Sequence, residues 1–204
     1  MKHAFSRVVV ILLLIAVWSC IALSQSPSSQ PIAEAPFAFD RTSIIIQVKL
    51  NGKGSYNMVL DTGSDVAAID LATAKELGLK LKSTEAQATG GGSDKPQIFL
   101  TQIQQVDIGN LAAKNVYAVA IDLSKQSQIL GKPLHGVLGY YSFLKNHVVQ
   151  FDYPKRMIRF YSSSPYSKTE QTSNNERRVK LTFRLGDNSP IIDEVYVNGK
   201  KIKL

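Results

Sequence analysis

The chain is poor in residues that staple, ligate or attack. Its 204 residues include one cysteine, Cys20, which excludes a disulfide framework within the chain. Only three histidines occur, His3, His135 and His147; the last two stand apart, away from any Ser or Cys nucleophile motif. No group of potential ligands has metal-binding spacing, so neither a metal nor another cofactor is expected. Basic residues outnumber acidic ones 24 to 16, yet they form no Lys/Arg block and no aromatic-interleaved basic stripe. That scatter argues for a solvated basic surface and against a nucleic-acid partner. With 44% hydrophobic and 20% charged residues, the composition is that of a globular protein rather than a disordered one.

What is present begins with an export signal. Met1-Lys2-His3 and Arg7 supply a positive start, Val8 to Val17 an apolar run, and Ala22-Leu23-Ser24 small residues at both positions a signal peptidase inspects. Residues 1–24 are read as a signal peptide cleaved before Gln25, and the protein as periplasmic or extracellular. The apolar run is short of the roughly 20 residues of a spanning helix. Two other fates stay open, both leaving the protein associated with the envelope membrane. Apolar residues resume at Ile21-Ala22-Leu23, as an uncleaved anchor would need, and Val17-Trp18-Ser19-Cys20 loosely resembles a lipobox that would lipidate Cys20. Residues 25–36, rich in Ser, Pro and Gln, read as a flexible spacer.

From Phe37 the pattern becomes that of short strands. Ser43 to Leu50 and Ser55 to Leu60 flank Asn51-Gly52-Lys53-Gly54, a strong hairpin signal. Val66 to Ile69 is strand-like, and Asp70 is placed to cap a short helix, Leu71 to Leu77, that Gly78 ends. Leu79 to Lys82 alternates as a half-buried strand does, and further strands are expected at Gln97–Leu100, Gln105–Ile108 and Asn115–Ile121. A second short helix is expected over Tyr140 to Asn146, then a closing hairpin from Val148 to Tyr161. Many short strands punctuated by Gly and Pro predict an all-β, closed barrel-like lobe over residues 37–161 with two short helices. Residues 162–178 read as a linker.

Beyond the linker the chain repeats itself. Ile191 to Lys200 aligns without a gap on Ile44 to Lys53, with six of ten positions identical, including the Asn-Gly-Lys turn. Residues 179–204 therefore read as the first strands of a second, truncated lobe.

The centre of the lobe is Met58-Val59-Leu60-Asp61-Thr62-Gly63-Ser64, an apolar strand that delivers a carboxylate into a tight turn of small residues. A carboxylate given hydroxyl and amide donors in such a turn stays ionised and fixed in direction, as a general base requires. Taken alone, Asp-Thr-Gly also suits an ordinary turn at a strand end. Two further stretches follow in order: Gly90-Gly91-Gly92, flanked by Thr89 and Ser93, and Val137-Leu138-Gly139 before a short helical pattern. The triple Gly is no phosphate loop, because neither Lys-Ser/Thr nor a helix follows it.

Together these stretches resemble the pepsin-like and retropepsin-like aspartic proteases, in particular bacterial exported proteins with a retropepsin-type domain. The resemblance covers about 125 residues. It implies that Asp61, Thr62, Gly63 and Ser64 are the catalytic loop, and that residues Thr89, Gly90, Gly91, Gly92 and Ser93 are a substrate-covering flap. Val137, Leu138 and Gly139 would be the support packed beneath the loop. Asp61 would share a water and a proton with a second Asp from another lobe, the two pKa values splitting because carboxylates about 3 Å apart cannot both ionise freely. Thr62 would brace the two loops through its hydroxyl, Gly63 would allow close backbone approach, and Ser64 would hydrogen-bond the outer carboxylate oxygen. The partners implied are a peptide or protein substrate and a second lobe.

The chain departs from the family in two respects. The flap tip has no Tyr, which leans toward the retropepsin-like branch, and Asp-Thr-Gly occurs only once. Asp65 would point away from the site, and Asp94, Asp107, Asp122, Asp152, Asp187 and Asp193 lack the motif's surroundings. The first reading is thus an exported aspartic endopeptidase, inactive as an isolated lobe, whose second lobe comes from a homodimer or from a continuation of the polypeptide. The second is a non-catalytic peptide- or partner-binding module of the cell envelope, and the third a degenerate structural protein there. If the continuation is correct, the DNA downstream of the Leu204 codon is expected to encode an in-frame Asp-Thr-Gly within a few codons; sequencing it checks this.

Overall fold

The structure, a computed structural model, describes residues 30–40, 43–87, 96–165, 181–186 and 189–202. The signal segment and the Gly-rich stretch of residues 89–93 lie outside these. Strand β1 (Ala33–Asp40) leads to β2 (Ser43–Leu50) and β3 (Lys53–Leu60). Apolar and polar residues alternate in both of the latter. Ile46, Val48 and Leu50 are buried between exposed Gln47 and Lys49, and Tyr56, Met58 and Leu60 are buried on β3. Next come β4 (Ala67–Asp70), helix α1 (Leu71–Glu76), β5 (Lys82–Gln87), β6 (Gln97–Ile108) and β7 (Leu111–Ile121). Helix α2 (Ser124–Leu130), β8 (Gly136–Leu138) and a π-type turn, Tyr140–Leu144, precede the hairpin of β9 (Val148–Asp152) and β10 (Met157–Tyr161).

These ten strands form one sheet in the order β5-β6-β7-β4-β8-β3-β2-β1-β10-β9, and a further pairing of β2 with β6 closes six of them into a ring. Closure is made at Lys49↔Asp107 and Leu50↔Val106. Asn51 reinforces it: its N–H donates to the Gln105 carbonyl (2.8 Å), and its Oδ1 accepts from the Gln105 N–H (3.0 Å). The core holds Ile46, Leu50, Met58, Ile69, Ile103, Val106, Ile108 and Leu138, all fully buried. Removal of such side chains from water is the main favourable term in folding. Strand β1 changes partner at mid-length, Ala33–Pro36 pairing with β10 and Phe37–Asp40 with β2, and so joins the β9–β10 hairpin to the ring.

The all-β barrel-like lobe predicted from the pattern is the observed fold, with differences in detail. β1 begins at Ala33, inside the stretch read as spacer. Ala33 and Ala35 are buried there, so the Ala-Glu-Ala-Pro segment alternates like the strands it precedes. The two strands expected at 97–100 and 105–108 are one strand, because Thr101 and Ile103 are buried between exposed Gln102 and Gln104 and carry the alternation across. Leu79 to Leu81 joins no ladder. The Gly78 N–H donates to the Lys75 carbonyl and the Leu79 N–H to the Ala74 carbonyl, the two bonds of a Schellman ending with Gly78 at φ 68°. Asp70 caps α1 as expected, its Oδ2 accepting from the Ala72 and Thr73 N–H groups. The helix expected at Tyr140 to Asn146 is the π-type turn instead, and α2 is a helix that no apolar period announces, since none of its residues is buried.

In the C-terminal part, β11 (Arg184–Gly186) pairs with β12 (Ser189–Ile191), and β13 (Val195–Val197) with β14 (Lys200–Ile202). The second of these hairpins repeats the β2–β3 turn in its geometry. Asn51 and Gly52 have φ 51° and 73°, Asn198 and Gly199 φ 50° and 76°, and the flanking pairs are Leu50↔Lys53 and Val197↔Lys200. The environments differ: Leu50 is fully buried, whereas Val197 is 49% exposed.

One charged cluster fastens the outer hairpin. Arg159 on β10 donates to Asp152 on β9 (3.0 Å) and to Glu34 on β1 (3.2 Å), and Asp152 also accepts the Lys155 N–H (3.0 Å). The Lys155 N–H and the Arg159 guanidinium hold the Asp152 carboxyl below the usual carboxylate range. A lowered acid contributes stability that is present above the ordinary carboxylate range and lost as pH falls through its own titration. Asp152→Asn is therefore expected to lower the unfolding midpoint at neutral pH, with the difference from wild type shrinking below about pH 4. Urea titrations at several pH values check this.

Candidate active site

The position of Asp61 follows from two neighbouring strands. Strands β3 and β8 run parallel with Met58↔Gly136, Val59↔Val137 and Leu60↔Leu138 in register. The ladder runs one step further, as the Asp61 N–H donates to the Leu138 carbonyl (3.0 Å). Leu60 is buried and Asp61 is exposed, so the carboxylate leaves the barrel where the strand ends. The Gly63 N–H donates to Asp61 Oδ1 (2.8 Å), closing a small turn that fixes the side chain. A Cβ at position 63 would lie 3.3 Å from that same oxygen, tight enough to press on the carboxylate.

Beneath the loop, Gly139 lies against its backbone. A Cβ there would lie 2.5 Å from the Ser64 carbonyl oxygen and 2.7 Å from that of Val66. The next residue completes the tie, the Tyr140 N–H donating to the Ser64 carbonyl (2.7 Å). Val137, Leu138 and Gly139 thus form a strand end on which residues 61–66 rest, with Leu138 fully buried.

One expected contact is different. The Ser64 hydroxyl donates to the Val66 carbonyl (2.8 Å), not to the outer oxygen of Asp61. Within the six-residue loop of residues 61–66 the carbonyl is the acceptor that Ser64 reaches, so Ser64 shapes the turn rather than the carboxylate. Thr62 and Gly63 are exposed beside Asp61. The flap residues Thr89, Gly90, Gly91, Gly92 and Ser93 lie outside the described residues.

Other carboxylates have local structural roles. Asp70 caps α1, and its Oδ1 also accepts the Leu123 N–H (3.1 Å). Asp107 accepts from the Gln105 amide (2.7 Å), Asp122 from the Ser124 N–H (2.8 Å), and Asp193 pairs twice with Arg184 (2.7 and 2.9 Å). The Ser124 N–H and hydroxyl hold the Asp122 carboxyl below its ordinary range. Among the described residues, no group of three or more His, Cys, Asp and Glu could hold a metal ion. His135, which stands apart in the sequence, is tied to β3. Its Nδ1 accepts the N–H of Asn57 (3.0 Å), 78 positions away, a distance over which no local signal exists.

A six-stranded ring with an exposed Asp-Thr-Gly loop resting on a Val-Leu-Gly strand end defines the architecture of an aspartic protease lobe. Residues 46–141 match the model of the aspartyl protease family. Solved structures similar to the chain include a retropepsin-like aspartic protease from Rickettsia conorii, 25% identical, covering 63% of this chain and 90% of that one with a TM-score of 0.43. Another is the retroviral protease-like domain of Ddi1 from Leishmania major, 13% identical, covering 59% and 94% with a TM-score of 0.38. No curated protein matches the chain.

Gly139→Ala tests the support. Its methyl group would meet backbone oxygens that cannot move aside, so a loss of about 1–3 kcal/mol is expected, read from the urea midpoint.

Proposed function

We propose that this chain is an aspartic endopeptidase that works as one half of a two-lobed enzyme. The observation that carries the proposal is the exposed Asp61, fixed at a strand end by the Gly63 N–H and the Leu138 carbonyl. One such carboxylate can orient a water but cannot also supply the acid that the reaction needs. With a second Asp opposite, the ionised member takes a proton from water as it attacks the peptide carbonyl, and the protonated member donates to the developing oxyanion. Collapse then breaks the C–N bond, and the leaving amine takes up a proton. Exposed Thr62 fits the role of bracing one loop against the other.

Two sources of the second lobe fit the proposal. A second copy of the chain would present the same loop by symmetry. The Asn198-Gly199 hairpin supports the other source, a lobe that follows in the same polypeptide, since it reproduces the turn and the closing pair of the hairpin that leads to Asp61. Export belongs to the same proposal and rests on the basic start and apolar run of the N-terminal segment. Retention of that segment, or a lipid on Cys20, would keep the enzyme at the membrane.

The test is peptide cleavage at acid pH by the full chain over a range of concentrations. Activity is expected to be pepstatin-sensitive, lost in Asp61→Asn, and to fall steeper than linearly on dilution if copies pair. Full activity from a verified monomer would sink the two-lobe requirement. Tight peptide binding without turnover, unchanged by Asp61→Ala, would instead identify a non-catalytic binding module.

A further inference from the structure

We propose that His135 is a positioning residue for the Asp61 loop, and that it acts only while its imidazole is neutral. The proposal rests on the reading of Asp61 as the catalytic carboxylate, although the bond it invokes can be measured without activity.

His135 stands at the head of the β3–β8 ladder. Its backbone N–H donates to the Asn57 carbonyl (2.9 Å), and the Asn57 N–H returns to His135 Nδ1 (3.0 Å). The Asn57 side-chain amide adds a third bond, to the Pro133 carbonyl (3.1 Å). An imidazole nitrogen thus takes the place that a backbone carbonyl holds elsewhere in a sheet. Nδ1 can accept from a backbone N–H only if it carries no proton, which places the ring proton on Nε2. Protonation would set two donors against each other and remove the bond.

The joint is coupled to the site because the strands between have no slack. Gly136 follows His135 and is enclosed by the Ala68 carbonyl and the Met58 side chain, each of which a Cβ would strike. Two residues on, the Leu138 carbonyl accepts the Asp61 N–H, and Gly139 carries the loop. A shift of β8 at His135 is therefore passed to the residues that hold Asp61.

The groups around the ring are few. The ring of Tyr56 on β3 meets it edge-on at 5.2 Å, and the Tyr56 hydroxyl donates to Glu76 of α1 (3.3 Å). From the end of β4 the Asp70 N–H donates to the His135 carbonyl (2.8 Å), with the Asp70 carboxylate committed to the α1 cap. Lys132, on the loop before β8, pairs with Asp40 (2.7 Å). None of these takes over the Asn57 N–H once the ring is charged. Protonation of the ring therefore breaks the strap, and loss of that proton restores it.

The experiment is NMR on the full chain labelled with nitrogen-15. Imidazole spectra are expected to show the His135 proton on Nε2 at neutral pH. Hydrogen-exchange protection factors, which correct for intrinsic rates, are expected to fall about tenfold together at the Asn57 and Asp61 amides as His135 titrates, the effect of one lost hydrogen bond. His135→Gln, whose amide oxygen accepts at every pH, should abolish that step, while His147→Gln should retain it. In a chain that shows peptidase activity, His135→Gln should also extend the acid limb of the kcat/KM profile. Protection at Asp61 that stays flat while His135 titrates, or a proton on Nδ1 at neutral pH, would overturn the proposal. If the chain shows no peptidase activity, the exchange result decides this proposal alone; tight peptide binding unchanged by Asp61→Ala is what would count against the catalytic reading of Asp61.

Discussion

The site depends on one short stretch of parallel pairing, three residues of β3 against three of β8. Backbone hydrogen bonds set the distance between the strands, and the glycines at 136 and 139 set how closely their neighbours approach. Any side chain at position 139 would push the Ser64 and Val66 carbonyls away, and with them the turn that fixes Asp61. The carboxylate is held not by many contacts of its own but by the rigidity of the backbone beneath it. Such an arrangement keeps a carboxylate exposed without leaving it loose.

The ring makes that rigidity possible. Six strands closed through β2 and β6 bury a continuous set of apolar side chains, and β1 ties the outer hairpin to them by belonging to two pairings at once. Asp70 makes another such connection. One of its carboxylate oxygens caps α1, and the other receives the Leu123 N–H at the start of α2. A residue chosen by sequence logic as a helix cap is thus also a cross-link between distant parts of the barrel.

How far the sequence was legible follows from the range of each interaction. The alternation in β2 and β3, the Asn51-Gly52 turn, the Asp70 cap and the Gly78 stop are local, and each is where the pattern places it. The Asp-Thr-Gly turn could be placed because it follows directly on the alternation of β3, and Val-Leu-Gly follows it in order. The switch of β1 between partners, the continuity of β6, the polar helix α2 and the His135–Asn57 bond were not legible. Each is decided by what lies across the sheet, and none leaves a periodic trace in its own segment. The Ser64 hydroxyl illustrates the same limit at short range, since its choice between a carboxylate and a carbonyl depends on the closed shape of the loop.

The closure of the ring also bears on how the chain reaches its fold. The β2–β3 hairpin needs only a two-residue turn and can form within about 1–10 μs. The Asn51–Gln105 pair that closes the barrel joins residues 54 positions apart, and the entropy of that loop must be lost before the contact gives anything back. The β3–β8 pairing beneath Asp61 spans still more of the chain, with Asn57 and His135 78 positions apart, and costs more loop entropy again. Until β2 and β6 meet, the apolar residues of β6 lack a neighbour and are open to wrong partners.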